Sequence, residues 1–442
     1  MEVVSTYSVK IKSYNKVFSE TVKVYRNAVD FYITVILNEW TDFSELKFTT
    51  EACNLSESLS VVTKRRPFVK YDLSKHFYKL PAYLRRAAIS EAYGKVCSYK
   101  SNLANWEAEE LKKRGKKPSY PVAGRIYPTL YKDRCFVRTG EYTARVKVYI
   151  RNTWDWLPVE LKKSDVDYIT RHCGLREECV PTLQKRGKQW FLDFPFKEKV
   201  TLTNTVVSEQ TVVAVDLGIN NACACSIMRS DGTILGRKFL SLPREQDSLN
   251  HAINRLKKAQ QHGNYKTPRL QAKVNGINDR IAVLTAQFIV DTAILFNADV
   301  IVFEHLDRSG KLHGSKKQRL HLWKSQYVQE MVTNKAHRCG MRISHINAWG
   351  TSKLAFDGSG KVLRGKDAGL KSYSECRFAD GKVYNCDLSA SYNIGARYFI
   401  RELLKSLPET ARLDIEAKVP QCSKRSTCTL STLISLNAVL AA

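Results

Sequence analysis

The sequence predicts a protein of several domains: an α+β N-terminal half, in which a helical lobe is inserted in a small β-barrel, followed by an α/β domain. Three observations predict this arrangement. The chain has 442 residues, enough for roughly two or three domains of about 150 residues each. Apolar residues recur at helical spacing in residues 21–118, whereas short apolar and aromatic segments separated by turns follow in residues 119–210. From residue 211 onward, apolar strands alternate with helices, which is typical of an α/β domain.

The charge of the chain predicts a polyanionic partner. Lysine and arginine together number 71 and aspartate and glutamate 43, so the formal net charge is +28. The excess is spread along the chain rather than gathered in one amphipathic helix or tail, which favours nucleic acid over a membrane surface or an acidic protein.

No part of the sequence predicts a membrane role. The most apolar stretch, residues 281–303, is interrupted by Asp291, Asn297 and Asp299, so we expect a helix followed by a buried strand rather than a membrane span. The opening residues, MEVVSTYSVKIKSYNK, alternate polar and apolar side chains and lack the apolar core of a signal peptide. We therefore expect a first strand and a cytoplasmic protein.

The N-terminal half is predicted to contain two long helices and several strands. One helix spans Thr21 to Trp40, and a second runs from Pro81 to Leu111, where a basic run with Gly115 ends it. These helices form the predicted lobe, residues 21–118. The segments RIYPTLY, ARVKVYI and QWFLDFPF are predicted strands, and residues 1–20 and 119–210 together would form the wedge-like β-barrel. The sequence does not determine which strands pair.

The C-terminal domain, residues 211–442, is predicted to open with three strands. They are VVAVDLGIN, a segment near residues 222–228, and ILGRKFL after a turn at residues 230–232. A helical stretch with breaks near Gly263 and Pro268 follows. The remaining predicted elements are a strand at 300–303, a helix at 323–339, a strand at 342–346 and a helix at 389–404.

Three carboxylates stand at the ends of predicted elements. Asp216 follows a four-residue apolar strand, Glu304 ends another, and Asp387 precedes the last predicted helix. Each alone has an ordinary interpretation, as a turn former, a loop acid or a helix N-cap. Together, 88 and 83 residues apart, they could converge on a site for Mg²⁺, or Mn²⁺ in its place, because such ions prefer oxygen ligands. Two such ions would support phosphodiester hydrolysis.

The motifs around these acids resemble a known family. VAVDLGINN, VIVFEHLD and DLSASYNIGAR are similar to the three RuvC motifs of the transposon-encoded TnpB nucleases and the related compact type V CRISPR effectors. The resemblance implies an RNase H-like (RuvC) nuclease domain, with Asp216, Glu304 and Asp387 as catalytic metal ligands and Asn393 and Arg397 as active-site support. It covers about residues 211–402 and is only architectural before them.

The resemblance also implies an activity. A TnpB-like protein would be a Mg²⁺-dependent endodeoxyribonuclease that binds a structured guide RNA, recognises a short flanking DNA motif and leaves the remaining sequence to base pairing with the target DNA. Two alternatives stay open: an unguided RuvC-like resolvase or transposase, and a guided DNA-binding repressor without cleavage. Transposon-associated and CRISPR-associated proteins are not distinguished by the sequence.

One departure from the family concerns zinc. Its members usually carry a zinc ribbon with two CysXXCys pairs before the third motif, whereas residues 349–386 contain only Cys376 and Cys386. Because structural zinc normally has four ligands, the sequence predicts a degenerate, metal-free ribbon. In the alternative, Cys422 and Cys428 supply the missing pair. Most of the twelve cysteines are expected to be reduced and buried.

Several basic runs are candidate phosphate contacts. They contain Lys64, Arg65, Arg66, Lys112, Lys113, Arg114, Lys116, Lys117, Arg255, Lys257, Lys258, Lys316, Lys317 and Arg319. The nearby His305, His313 and His321 match no standard metal-ligand spacing, so we interpret them as incidental. The segment Gly310 to Gly314 is a hypothetical mobile loop over the active site.

Overall fold

The computed structural model describes residues 1–12, 16–111, 114–219, 221–306, 319, 322–370, 372 and 374–441. The chain forms two compact units. One comprises residues Glu2–Glu198, and the other comprises Lys199–Ala442 together with Met1. Both contain helices and sheets, so the chain is a mixed α+β protein of more than one domain.

The N-terminal unit contains five α-helices and seven strands among the residues that the structure describes. The helices are α1 (Val17–Asn38), α2 (Trp40–Ser44), α3 (Thr49–Ser60), α4 (Ala82–Ala108) and α5 (Lys163–Cys173). The strands are β1 (Glu2–Lys10), β2 (Phe136–Gly140), β3 (Thr143–Ile150), β4 (Thr153–Glu160), β5 (Glu177–Glu178), β6 (Thr182–Arg186) and β7 (Gln189–Lys199).

Two sheets and the helices of this unit share one hydrophobic core. One sheet has the order β1-β7-β5 with β6 beside β7, and the other has the order β2-β3-β4. A bridge between Ile11 and Leu161 joins them. The same core contains Tyr25 and Ala88 from α1 and α4 and Trp190 from β7. The division of this half into a barrel and a separate helical lobe stays a prediction.

The structure confirms the two long helices of this half and corrects one strand. ARVKVYI and QWFLDFPF lie in β3 and β7, but RIYPTLY forms no strand. It makes only a single bridge, between Thr129 and Thr182, because Pro128 has no N–H to donate to a ladder. Helix α3 was not expected. Its buried face includes Ser56 and Ser60, so polar residues conceal its period.

The C-terminal unit contains the predicted elements and several more. Its strands are β8 (Thr211–Leu217), β9 (Cys223–Arg229), β10 (Ile234–Leu240), β11 (Val300–His305), β12 (Arg342–Asn347), β13 (Leu363–Arg364), β14 (Glu375–Arg377) and β15 (Val383–Asn385). Its helices are α6 (Pro243–Gln261), α7 (Pro268–Leu295), α8 (Ser325–Arg338), α9 (Cys386–Lys405), α10 (Glu409–Lys418) and α11 (Leu430–Ala441).

A five-stranded mixed sheet is the centre of this unit, in the order β10-β9-β8-β11-β12. The strands β8, β9 and β10 pair antiparallel, whereas β11 is parallel to both β8 and β12. Both faces are covered. Ala214 and Val302 pack in the core that includes α9, while Val215 and Phe303 pack in the core that includes α7 and α8.

Helix α9 lies unusually close to the sheet at Gly395. A Cβ atom at this position would collide with Met228 of β9 and would lie 3.1 Å from the Cβ of Ala214 in β8. A larger residue at this position would therefore force Met228 to move and would press against Ala214. The same helix packs against α11, whose Leu433 and Leu436 are fully buried.

A small three-stranded sheet, β13-β14-β15, precedes α9 directly. Its strands fall in residues 363–385, the region where the sequence predicts the degenerate ribbon. Between residues 281 and 303 the structure has the end of α7 and strand β11, which confirms the helix followed by a strand. None of the described helices combines the length and apolar character needed to cross a bilayer.

The close contact at Gly395 gives a first prediction. Gly395→Ala is expected to lower the free energy of unfolding by roughly 1–3 kcal/mol, because the added methyl overpacks the interface with β8 and β9. Gly276→Ala, in α7 where nothing lies within 4 Å, should instead stabilise by up to about 1 kcal/mol through helix propensity. Urea denaturation of both variants measures the difference, and equal effects would contradict the packing argument.

Candidate active site

Two of the three candidate carboxylates lie side by side on adjacent parallel strands. The last paired residues of β8 and β11 are Val215 and Phe303, and Asp216 and Glu304 follow them directly. Side chains alternate between the faces of a strand. Because Val215 and Phe303 face the α7 side, Asp216 and Glu304 both project on the side of the sheet that α9 covers.

The third carboxylate, Asp387, is the second residue of α9. The N-cap of this helix is Asn385, whose side-chain oxygen accepts a hydrogen bond from the Leu388 amide at 2.9 Å. Asp387 is therefore not the cap that its local sequence favoured. Its Oδ2 instead accepts a hydrogen bond from Nδ2 of Asn221 at 2.9 Å, so an amide from the turn after β8 orients it.

The turn that carries Asn221 depends on Gly218. A Cβ atom at Gly218 would lie 2.5 Å from the backbone oxygen of Asn221, which no other residue type tolerates without a shift of the backbone. The amide of Gly218 donates to the carbonyl of Ala222 at 3.4 Å. The glycine after Asp216 thus permits the turn that brings Asn221 to Asp387.

Glu304 is held by groups from two other elements. The hydroxyl of Thr351, a residue that is only 2% exposed, donates to its Oε1. The side-chain amide of Gln329 in α8 donates to its backbone carbonyl at 3.0 Å. These contacts restrict both the side chain and the strand end that carries it.

Asn393 and Arg397 donate hydrogen bonds to the loop that carries Thr351 and, in the described part of the chain, make none to the carboxylates. Nδ2 of Asn393 donates to the carbonyl of Thr351 at 3.0 Å. The guanidinium of Arg397 donates to the carbonyls of Asn347 and Trp349 at 2.9 and 2.8 Å. Both are buried residues of α9, one turn apart. They are positioning residues that fix the segment from which Thr351 reaches Glu304.

The neighbouring carboxylates disfavour the ionisation of Asp216. Burial raises the pKa of Asp216 well above its ordinary value, and the neighbouring charges of Glu304 and Asp387 raise it further, while the Arg364 guanidinium opposes them. Burial also raises the pKa of Glu304, against the opposing effects of the Thr351 hydrogen bond and the Arg397 charge. A cation placed among these groups would relieve the repulsion.

The donor set fits a hard divalent cation, because all three groups offer carboxylate oxygens. Among the residues that the structure describes, no three His, Cys, Asp or Glu side chains are grouped closely enough to hold a metal ion as they stand. The three acids are therefore near enough to interact electrostatically without being gathered as ligands around an ion are.

The sequence did not single out three residues of this site. Asn221 lies within the first quoted motif, so its place there was a usable signal. Thr351 and Arg364 lie in loop and short-strand segments without a motif, and only the folded chain brings them to Glu304 and Asp216. Arg364, in β13, is exposed and donates to the carbonyl of Ser352 at 2.6 Å.

Two of the basic runs are presented to solvent. Lys64 and Arg65 are exposed on a turn that is closed by two hydrogen bonds between the backbones of Thr63 and Arg66. In α6, Arg255 and Lys258 are exposed, with Lys257 partly so, opposite the buried face of the helix. All of these stay candidate phosphate contacts.

Other members of the basic runs are engaged within the protein. Arg114 donates to the carbonyl of Glu109 at 2.8 Å and stacks 5.0 Å from the Trp106 ring centre, next to the exposed Lys116 and Lys117. Arg319 donates to the carbonyl of Ile219 at 2.9 Å, and burial lowers its pKa, so it supports the turn after β8. Five predictions lie outside the described residues: Lys112, Lys113, Lys316, Lys317 and the segment Gly310–Gly314.

His305 is exposed at the end of β11, whereas His313 and His321 lie outside the described residues. All twelve cysteines are free and nine are buried, which confirms the expectation that most of them are buried. Cys376 and Cys386 belong to one apolar cluster. Cys422 and Cys428 belong to another, so the four thiols of the alternative zinc site are not gathered in one cluster.

Comparison of the sequence with known proteins gives a match in the N-terminal half. A family model described as the Aq_aa04 family matches residues 5–150, which is less than half of the chain. The uncharacterized protein aq_aa04 of Aquifex aeolicus (strain VF5) is 28% identical over 157 residues, covering 32% of this chain and 88% of that protein. Neither description states an activity.

Comparison with solved structures finds type V CRISPR effectors. The chain is similar to Cas12f1 in complex with sgRNA and target DNA, at 14% identity and a TM-score of 0.34, covering 89% of this chain and 98% of that one. For CasPhi-2 (Cas12j) bound to crRNA and phosphorothioate-DNA, the identity is 11% and the TM-score is 0.39, and the match covers 88% of this chain and 90% of that one. For a Cas12i(E894A)-crRNA-dsDNA complex, the identity is 9% and the TM-score is 0.40, and the match covers 97% of this chain and 64% of that one.

The raised pKa of Asp216 predicts a pH-dependent stability. The folded state binds this proton more tightly than the unfolded state, so ionisation lowers the free energy of unfolding as pH rises from about 4 through the raised pKa. Asp216→Asn should therefore stabilise the metal-free protein by more than about 1 kcal/mol at neutral pH, with little gain at pH 4. Urea denaturation in a chelator measures this. Exposed Asp414→Asn is the control, and a pH-independent gain would contradict the prediction.

Proposed function

We propose that this chain is a Mg²⁺-dependent endodeoxyribonuclease of the RuvC-like kind, which binds a guide RNA and cuts target DNA by two-metal phosphodiester hydrolysis. The observation that carries the proposal is the placement of Asp216, Glu304 and Asp387. Two end adjacent parallel strands and the third begins the helix that covers the same face. The central sheet, three antiparallel strands followed by two parallel ones, supports an RNase H-like domain.

In this proposal Asp216, Glu304 and Asp387 hold Mg²⁺, or Mn²⁺ in its place. Bound there, the ions would activate a water molecule and stabilise the leaving 3′ oxygen. The protein's own part is to aim the carboxylate oxygens. Asn221 orients Asp387, and Thr351 orients Glu304, so each of these acids is held by a neighbouring polar group.

Nucleic-acid binding is supported by the charge. A net charge of +28 supplies a field that attracts phosphates and gives salt-dependent affinity. Arg364 is exposed, and its charge lowers the pKa of Asp216, so it lies near that acid. It is therefore suited to contact a phosphate beside the carboxylates. The Cas12 structures named above contain a guide RNA and DNA, and the same two partners are proposed for this chain, with a short flanking DNA motif read by the protein.

Two other functions are less well supported. An unguided resolvase or transposase would use the same three acids, but it assigns no task to the basic N-terminal unit. A guided repressor would need no catalytic acids, and all three are present. A neighbouring CRISPR array or a transposon end would distinguish the two guided classes.

The guided function is tested by purifying the protein from cells that carry its native locus and sequencing the RNA that accompanies it. We expect one abundant species with a constant scaffold and a variable end. The purified complex should then cut DNA complementary to the variable end when Mg²⁺ is present. Heterogeneous, degraded RNA would favour the unguided nuclease.

In that complex, Asp216→Ala should abolish cleavage, by at least about 10³-fold, and leave DNA affinity within about twofold, because it removes a metal ligand but no phosphate contact. Asp414→Ala, which removes an exposed acid of α10, should cut like the wild type. Cleavage by the Asp216 variant, or loss of its DNA binding, would refute the assigned role.

We further propose that the segment equivalent to the zinc ribbon folds without metal, around aromatic rings. The ring of Phe356 lies 5.4 Å from Phe378, 5.0 Å from Tyr384 and 5.1 Å from Tyr392. Cys376 is fully buried in the same cluster. Aromatic pairs at such distances contribute beyond the area they bury, so they provide the cohesion that a zinc ion gives to a ribbon.

Phe356→Ala should accordingly lower the free energy of unfolding by about 2–4 kcal/mol, whereas removal of exposed Phe239 should cost less than about 0.5 kcal/mol. Elemental analysis should find less than stoichiometric zinc, and a chelator should leave the melting temperature unchanged. A zinc equivalent whose removal lowers the melting temperature would contradict this proposal.

A further inference from the structure

A cavity of about 490 Å³ lies between the second half of α9, helix α10 and residues 420–428. None of the three candidate carboxylates lines it. Ligand sites typically enclose ~300–1,000 Å³. Most of its lining comes from residues after position 402, outside the three motifs that the nuclease proposal uses. Its walls combine five cationic and two acidic side chains with apolar ones.

The charges of this cavity do not balance. Its two acids are each paired with an arginine: Arg401 with Glu402 at 2.8 Å, and Arg412 with Glu416 at 2.9 Å. Three cations, Arg397, Lys405 and Arg425, therefore have no acidic partner in the lining. Of these, Arg397 donates hydrogen bonds to backbone carbonyls.

Arg397 is held by carbonyls alone. Its Nε donates to Cys428 at 3.0 Å and its Nη2 to Ser426 at 2.7 Å, in addition to the two carbonyls named earlier. Carbonyl oxygens solvate a guanidinium without neutralising it. Burial lowers the pKa of Arg397, which reflects a cation kept out of water without a full countercharge.

The other two surplus cations are available to a ligand. Lys405 and Arg425 are exposed at the rim, and neither has a hydrogen bond or an ion pair with a residue that the structure describes. Part of the remaining lining is apolar, since Ile400, Cys422 and Cys428 are at most 3% exposed, whereas polar and charged groups form the larger part of it. A cationic rim above an apolar floor matches a ligand with a phosphate at one end and a flat, weakly polar ring at the other.

We propose that this cavity binds one phosphorylated nucleotide unit, with its phosphate at Lys405 and Arg425 and its base and sugar against the apolar floor formed by Ile400, Cys422 and Cys428. Two sources share this chemistry, a free nucleotide and the 5′-phosphorylated end of a polynucleotide. The inference does not depend on the nuclease function, because none of the three carboxylates lines the cavity.

The test is calorimetric titration of the full chain with AMP, adenosine and inorganic phosphate. AMP should bind with one-to-one stoichiometry, and the other two at least roughly tenfold more weakly, since each lacks half of the contacts. Absence of AMP binding would overturn the proposal. Inorganic phosphate binding as tightly as AMP would also overturn it, since the apolar floor would then contribute nothing.

A matched pair of variants locates the site. The double variant Lys405→Gln/Arg425→Gln should weaken AMP binding by about tenfold or more with an unchanged melting temperature. Lys424→Gln removes an exposed charge that does not line the cavity and should stay within about twofold of the wild type. Equal AMP affinity in the double variant and the wild type would refute the assignment.

Competition distinguishes the two sources. If a 5′-phosphorylated RNA oligonucleotide displaces AMP and its 5′-hydroxyl counterpart does not, the ligand is a chain end. If neither displaces AMP, it is a free nucleotide, and both results uphold the proposal. Equal displacement by the two oligonucleotides would assign the binding to backbone phosphates and overturn it.

Discussion

Helix α9 touches the central sheet directly, and the rest of the candidate site is arranged around that contact. At Gly395 the helix backbone comes so near to β8 and β9 that an added Cβ would collide with Met228 and press against Ala214. The first turn of the same helix carries Asp387. Two further residues of the same helix, Asn393 and Arg397, fasten the loop from which Thr351 reaches Glu304. One rigid element thus supplies one acid and positions another.

The electrostatic environment of the candidate site disfavours the ionised form of Asp216. Burial and the neighbouring charges of Glu304 and Asp387 raise the pKa of Asp216, and the Arg364 guanidinium opposes this rise. An acid whose ionised form is disfavoured in the folded state lowers stability at neutral pH. A group of acids that folding alone would not favour is a common sign of a functional site.

Much of the C-terminal fold was predictable, because its strands are continuous apolar runs and its helices are long. The apolar runs before Asp216 and Glu304 gave both the strands and the acids at their ends. Helix α3 was missed because its buried serines interrupt its apolar period. RIYPTLY was wrongly predicted as a strand because its aromatic pattern outweighed Pro128, which has no N–H to donate to a strand ladder. Asn221, Thr351 and Arg364 act through contacts between distant segments, which no local pattern encodes.

The order of the chain has a consequence for how the protein is made. The N-terminal unit is a continuous stretch with its own core. In the C-terminal unit, α9, the helix that covers one face of β8, follows that strand by some 170 residues in the chain. During synthesis, domains generally fold as units as they emerge. Under the proposed function, the basic N-terminal unit is able to bind nucleic acid on the ribosome while the three carboxylates are still unassembled, so binding precedes the ability to cleave.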